Sequence, residues 1–326
     1  MNSGKMKCLS IIYNDFMLSL LATKQDELEK GLTYQIPLKE GIVKNGLIQD
    51  EDAFFYELKD LLKKLKIKKH VVRVVSPSHN TLTKKIRLPE TLETSEEMKE
   101  YVNQELNESI QLPFTEPIID LFDENPTDGE VLLFAAEHEE VDTIIRIIED
   151  LGMIPDTVDI KSLVDLRVLS DIIPKFNEDT LVVLDWSMDE LRMSIVEKGH
   201  VELLKAFRIE TTHDDWTLEE NEDGIVSFAL TNNKSHYEQE IARVISEIDK
   251  AVHFYQFSLN KGSKEVQRVL NIGDHPMLSK ITEILKDEVP LPVEELTNEE
   301  VDAKFPTYFV KHSTLLGLTM KGVSHE

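Results

Sequence analysis

Cysteine is almost absent: Cys8 is the single one in 326 residues. No internal disulfide can form, which fits a reducing compartment. Basic residues are also few, 36 against 62 acids, for a formal charge of −26. Nucleic acid is thereby excluded as the main partner, because duplex binding depends on a basic footprint. No run approaches the ~18 apolar residues of a membrane span. His-Glu-x-x-His, Gly-x-Ser-x-Gly and Walker A patterns do not occur, and the ten histidines stand singly, so no metal site is expected. Lys5, Met6 and Lys7 precede Cys8 where a lipoprotein leader would need an apolar core. The expected location is the cytoplasm.

What is present is globular: 41% apolar and 30% charged residues, enough for a sizeable core and for about two domains at ~150 residues each. Leu9–Tyr13 and Phe16–Ala22 read as a strand hairpin turning at Asn14-Asp15, followed by an extended stretch Thr33–Leu38. Residues 51–66 carry Phe54, Leu58, Leu61, Leu62 and Leu65 at helical spacing, and His70–Ser76 reads as a buried strand. Residues 82–136 follow the order strand, helix, strand, strand. Their helix opens on a Thr94/Glu97 capping box with a stripe of Met98, Val102, Leu106 and Ile110. Helix 141–151 ends at Gly152.

The second half opens as the first does. Leu181–Leu184 and Leu191–Val196 are strands around a turn, Val201–Phe207 is a third, and an acidic loop spans 210–223. A long helix 235–258, a strand Val269–Ile272, a helix 277–287, a strand at 289–293 and a final helix Thr307–Met320 complete the pattern. This is α/β with two related lobes, not one open sheet.

Several blocks, in order, resemble the PilM family, the actin-like cytoplasmic proteins of type IV pilus assembly. They are IPLKEGIVKNGLIQD (36–50), IRLPE (86–90), ELNESIQLPF (105–114) with Asp120 beyond it, LLFAAEHEEVDTIIRIIEDLGMIPDTVDI (132–160) and HSTLLGLTMKG (312–322). The resemblance implies a two-lobed actin-like (ribonuclease H-like) ATPase fold close to that of FtsA. The first lobe would span 1–175, with the inserted strand-helix-strand-strand subdomain at about 82–152. The second lobe would span 176–326, its final helix at about 307–321 packing back on the first.

Actin-like ATPases hold phosphates on glycine-containing hairpin turns, where the backbone must come close to the ligand. This chain departs from that pattern. Ser10, Ile12 and Met17 stand where the family has Asp, Gly and Lys; Trp186 and Ser187 follow Asp185 where Ile and Gly belong; NIGD (271–274) keeps Gly273 but has Ile272 where a second glycine of a Gly-Gly step would sit. Asp185 and Gly273 are what remains of a nucleotide site, and each also reads simply as a turn residue. The expectation is a pseudo-ATPase with no cofactor. The alternative is an active actin-like protein that uses ATP and magnesium to regulate assembly.

The partner implied by the resemblance is the cytoplasmic N-terminal tail of PilN, a single-span membrane protein. Other pilus assembly proteins and the cytoplasmic motor ATPase could also join, placing the chain at the inner face of the cytoplasmic membrane. In the family the tail lies between the first lobe and its inserted subdomain, which points to Arg87, Tyr101 and Glu105 as groove residues. A secretion component similar to the cytoplasmic part of GspL is a further alternative, although such chains continue into a membrane span. Two other stretches have double readings. DENPTDGE (123–130) superficially resembles a calcium loop but lacks glycine at the sixth position and reads as a turn. Residues 59–73 hold six lysines and Arg73 against Asp60, which is either a solvated face or an attraction to anionic lipid.

Overall fold

The computed structural model describes residues 7–24, 27–76, 81–89, 91–92, 94–123, 129–220 and 226–321. Both faces of the first hairpin are apolar, so it is interior. Strands β1 (Lys7–Tyr13) and β2 (Met17–Lys24) pair antiparallel, with Leu9, Ile11, Leu18, Leu20 and Leu21 buried. β3 (Leu32–Pro37) continues along β2, and the small hairpin of β4 (Val43–Lys44) and β5 (Leu47–Ile48) leads to helix α1 (Glu51–Lys64). The Asp50 carboxylate accepts from Ala53 N and so satisfies one of the free donors at the start of α1. β6 (Val71–Val75) lies parallel to β1.

A separate unit follows, in the order read from sequence: β7 (Thr81–Arg87), α2 (Ser95–Glu105), β8 (Pro117–Phe122) and β9 (Glu130–Glu137), with sheet order β7-β9-β8. The Thr94/Glu97 capping box is present. Leu88, Val102, Ile110, Val131 and Leu133 give the unit a core of its own. α2 is shorter than its apolar stripe. Asn107 at φ 67° breaks the helix, and bonds between Ile110 N and Glu105 O and between Asn107 N and Ile110 O fold Leu106 and Ile110 onto the same core. Most of DENPTDGE, residues 124–128, falls outside the described residues.

Helix α3 (His138–Asp150) returns to the first sheet, where Ile144, Ile147 and Ile148 pack with Phe54, Leu58, Val72 and Val74. β10 (Ile154–Asp159) closes the sheet as an edge strand parallel to β6, giving the order β10-β6-β1-β2-β3. Cys8 is buried and burial pushes its thiol pKa up, which makes it a packing residue rather than a nucleophile. Helix α4 (Lys161–Ile172), which the sequence reading did not include, then crosses to the second half. Val164, Leu166, Val168, Leu169 and Asp165 are all buried and none of its residues is exposed, so the helix lacks the wet face that makes a periodic pattern visible.

The second sheet contains β11 (Thr180–Trp186), β12 (Glu190–Glu197) and β13 (His200–Arg208). The stretch expected as an acidic loop carries β14 (Trp216–Glu220), paired with β15 (Val226–Leu230), because Trp216 and Leu218 alternate with polar residues. Helix α5 (Lys234–His253) ends in a π-helical turn, Phe254–Leu259. After β16 (Arg268–Gly273) and α6 (Leu278–Glu288), the strand expected at 289–293 is β17 (Val293–Glu295), displaced past Pro290 and Pro292, which have no N–H to give a ladder. Helix α7 (Asn298–Lys304) starts from a Thr297/Glu300 capping box, and α8 (Ser313–Met320) begins later than expected, after Thr307 at φ 76° and a short turn at Val310–His312.

The second sheet has the order β13-β12-β11-β16-β17 and repeats the first strand for strand: an antiparallel meander of three, then two parallel strands on its far side. The topology is duplicated although the letters are not.

The buried α8 lies on α4 and on β1, β2 and β6. Arg73 reaches it from β6, its Nη1 donating to the carbonyls of Leu318, Thr319 and Lys321 at 3.0, 2.9 and 2.7 Å. At the α4–α8 crossing, a Cβ on Gly317 would stand 2.2 Å from the backbone oxygen of Val164. Gly317→Ala is therefore expected to lower stability by roughly 1–3 kcal/mol, despite alanine's better helix propensity, because backbone must move to admit the methyl. Thermal unfolding of the variant measures this, and an unchanged midpoint would refute it.

Candidate functional site

The two sheets bring their hairpin turns face to face. In the first turn the Asn14 side chain accepts from Phe16 N (2.9 Å) and Met17 N (2.8 Å), and Asp15 accepts from Asn45 N and Gly46 N, both at 2.8 Å. In the second, Ser187 donates to Asp189 (3.0 Å) and Ser187 N bonds Glu190 O (2.9 Å). At the third place Gly273 ends β16 at φ 131°, and a Cβ there would meet Trp186 O at 2.1 Å, so only glycine lets β16 run this close to β11.

The contact between the turns is made by protein. Phe16 and Met17 belong to the core of the second lobe, where Phe16 stacks on His213 at 4.5 Å between ring centroids and meets Phe228 edge-on at 5.9 Å. Beside them is a buried ionic cluster. Lys161 Nζ, at the start of α4, bonds Asp185 and reaches Asp165 at 3.2 Å. Arg192, opposite Asp185 across the β11–β12 ladder, pairs with Glu190 at 2.6 Å and with Asp185 at 3.5 Å. Burial opposes a charge on Lys161, but Asp165 and Asp185 outweigh it and hold the ammonium pKa above its usual value. Burial raises Asp165 to about 6, with Asp185 adding to it and Lys161 opposing. Burial, then Asp15 and Glu190, raises Asp189 to about 6 as well.

The space left is small. One cavity of about 40 Å³ lies among Ile12, Met17, Lys161, Ser187, Asp189 and Arg192. Another of about 20 Å³ lies among Ile12, Lys161, Asp185, Ile272 and Gly273. Small-molecule sites usually run to about 300–1,000 Å³. An opening of about 590 Å³ with a mixed polar and apolar lining borders Lys161 and Arg192 between β7, Pro113-Phe114 and β13, but Asp185 and Gly273 do not line it. The departures noted in the sequence have different fates. Ser10 bonds Thr319 of α8 at 2.8 Å, and the Trp186 indole points into the core and donates to Asn271 at 2.7 Å. Lys161 and Arg192 were not singled out from sequence. Arg192, a lone cation within the apolar run Leu191–Val196, was the available signal.

A different cavity, about 540 Å³, opens between three units. One wall is the face of the inserted sheet that α2 leaves uncovered, where Ile118 and Phe122 are 39% and 47% exposed beside Leu132 and Phe134. The second is Val158 of β10 with Leu163 and Leu166 of α4; the third is the β12–β13 turn at Gly199 and His200, whose ring stacks near Phe122 at 6.1 Å. Edge strands β8 and β10 both border it. Arg87, Tyr101 and Glu105 do not line it: Arg87 is exposed and pairs with Glu130 at 3.0 Å, Tyr101 packs at the rim of the inserted core, and Glu105 bonds Ser109.

Duplicated sheets, facing hairpins and an inserted sheet define an actin-like ATPase fold. A solved structure of the PilM–PilN type IV pilus biogenesis complex has this architecture, with TM-score 0.75 and 15% identity over 99% of this chain and 100% of that one. The ethanolamine utilization protein EutJ of Carboxydothermus hydrogenoformans matches at TM-score 0.51, with 11% identity over 96% and 89% of the two chains. MreB5 of Spiroplasma citri, bound to AMPPNP, matches at 0.50, with 9% identity over 98% and 96%. Comparison with curated protein sequences returns no match. The family model for type IV pilus assembly protein PilM matches residues 12–205, more than half the chain. This protein belongs to the PilM family.

The raised pKa of Asp189 has a measurable consequence. Its folded-state value, about 6, exceeds the ordinary 3.8, so the native state binds the proton more tightly and the ionised carboxylate costs stability above pH 6. That cost fades as pH falls from 6 toward 3.8. Asp189→Asn is therefore expected to be more stable than the parent by roughly 1–3 kcal/mol above about pH 7, with the advantage shrinking below about pH 5. Denaturant titrations across pH test this; a pH-independent difference would contradict it.

Proposed function

We propose that this chain is a non-enzymatic scaffold of type IV pilus, or related pseudopilus, assembly. It would seat the cytoplasmic tail of a PilN-like inner-membrane protein in the groove between the inserted sheet, β10–α4 and the β12–β13 turn, which holds it at the inner face of the cytoplasmic membrane. The groove carries the reading: about 540 Å³ of mainly apolar space bordered by two open sheet edges. An extended peptide can take main-chain hydrogen bonds from such an edge and place alternate side chains in pockets. Family membership and the fold shared with the PilM–PilN complex support that choice of partner. Ordering a flexible tail costs roughly 2–5 kcal/mol, so affinity should be micromolar in scale.

The same reading makes the hairpin junction structural. Lys161 and Arg192 already neutralise Asp185, and Ile12 and Met17 border the small spaces beside it. A triphosphate would have to break buried ion pairs to enter, and stranding one member of such a pair costs about 3–5 kcal/mol.

Two measurements test these statements. A labelled synthetic PilN-like tail should bind the full chain at micromolar concentration, and Phe122→Asp or Ile118→Asp, both at exposed positions, should weaken it at least about tenfold while leaving thermal unfolding unchanged. Parental affinity in both variants would remove the groove from consideration, and cross-linking to Arg87 or Tyr101 would move the site to the opposite face. A fluorescent ATP analogue with magnesium should show no saturation; micromolar saturable binding abolished by Asp185→Ala would restore the active-ATPase alternative.

A further inference from the structure

Lys59, Lys63, Lys64, Lys66, Lys68 and Lys69 are all exposed, on the end of α1 and the turn into β6, in a protein that carries a charge of −26. Among the described residues none of the six has a salt bridge, whereas Lys39, Lys161, Arg167, Arg192, Lys264 and Arg268 each do. Asp60 is the one acid of the stretch. Arg73, part of the same run in sequence, turns inward to Asp156 and the α8 carbonyls and takes no part. Lys66 and Lys69 both adopt left-handed backbone, at φ 57° and 52°, where the chain turns from α1 into β6.

Apolar groups stand within this basic face. Tyr56 is exposed one helical turn before Lys59, whose ammonium lies 5.0 Å from the Phe55 ring centroid and 5.7 Å from that of Tyr56. Ile154 is 56% exposed at the start of β10, where its N–H donates to His70 O directly after Lys69. Lysines with long apolar stems around an aromatic ring and an aliphatic side chain suit a surface that is anionic outside and apolar beneath. At physiological ionic strength charges are screened beyond about 8 Å, so the acids elsewhere do not cancel this face.

We propose that this face docks directly on an anionic phospholipid surface. The inference goes beyond the groove and does not rest on it, but the two fit. The C-terminal end of β10 borders the groove and its N-terminal end, Ile154, meets the lysine turn. Five residue steps of strand separate them, about 17 Å. Docking would orient the groove's edge strand toward the membrane from which a tail emerges.

The test is co-sedimentation of the full chain with vesicles of phosphatidylglycerol and phosphatidylcholine in equal parts, and with phosphatidylcholine alone. Binding is expected only to the anionic vesicles, decreasing as salt rises. The triple variant Lys63→Gln, Lys64→Gln, Lys68→Gln should lose roughly a hundredfold, about fivefold for each lysine. Equal or absent binding to both vesicles, or an unchanged triple variant, overturns the proposal. So does tighter capture of a duplex oligonucleotide or of polyglutamate, which would assign the face to a different partner. Titrating the tail peptide into the same variant separates the two readings. Retained peptide binding with lost vesicle binding supports independent sites, and anionic binding by the parent with no peptide binding would leave this inference standing without the groove.

Discussion

Phe16 sits at the tip of the first lobe's hairpin yet belongs to the core of the second lobe, against His213 and Phe228. That insertion ties the first sheet to the core of the second. Burying a phenylalanine contributes roughly 1.5–3 kcal/mol, without dependence on any small molecule. The neighbouring Lys161, Arg192, Asp165, Asp185 and Glu190 form buried ion pairs beside it. Buried ion pairs recover little beyond their desolvation cost, but each charge strongly resists being left alone. Closure of the lobes is thus built from side chains.

The local elements that were legible in the sequence are those with one wet face. α1 and α3 showed as stripes, α2 announced itself by its capping box, and the hairpins of both lobes showed as apolar runs around turns. What stayed hidden is what lies between the lobes. α4 has no exposed face, and Asp165, Arg167 and Ser170 are interspersed among its apolar residues, so no clear period marks it, and with it the role of Lys161 was lost. The identical connectivity of the two sheets was also beyond reach, because topology constrains which positions are buried and leaves the side chains free to vary.

The groove shows a related limit. The strongest pattern in the inserted unit is the amphipathic α2, which drew attention to Tyr101 and Glu105, but that helix covers the face of the sheet turned away from the first lobe. The uncovered face was written in the alternation of β8, where Ile118, Asp120 and Phe122 are exposed and Ile119 and Leu121 are inside. An amphipathic strand with apolar residues on both sides has two partners to find, and only one of them is its own helix.

The crossing of α4 and α8 at Gly317 and Val164 is so tight that neither helix can slide sideways over the other. α8 rests on the first sheet and α4 packs with residues of the second, so the spacing of the two halves here is set by a helix-to-backbone approach that no side-chain rotamer can relax.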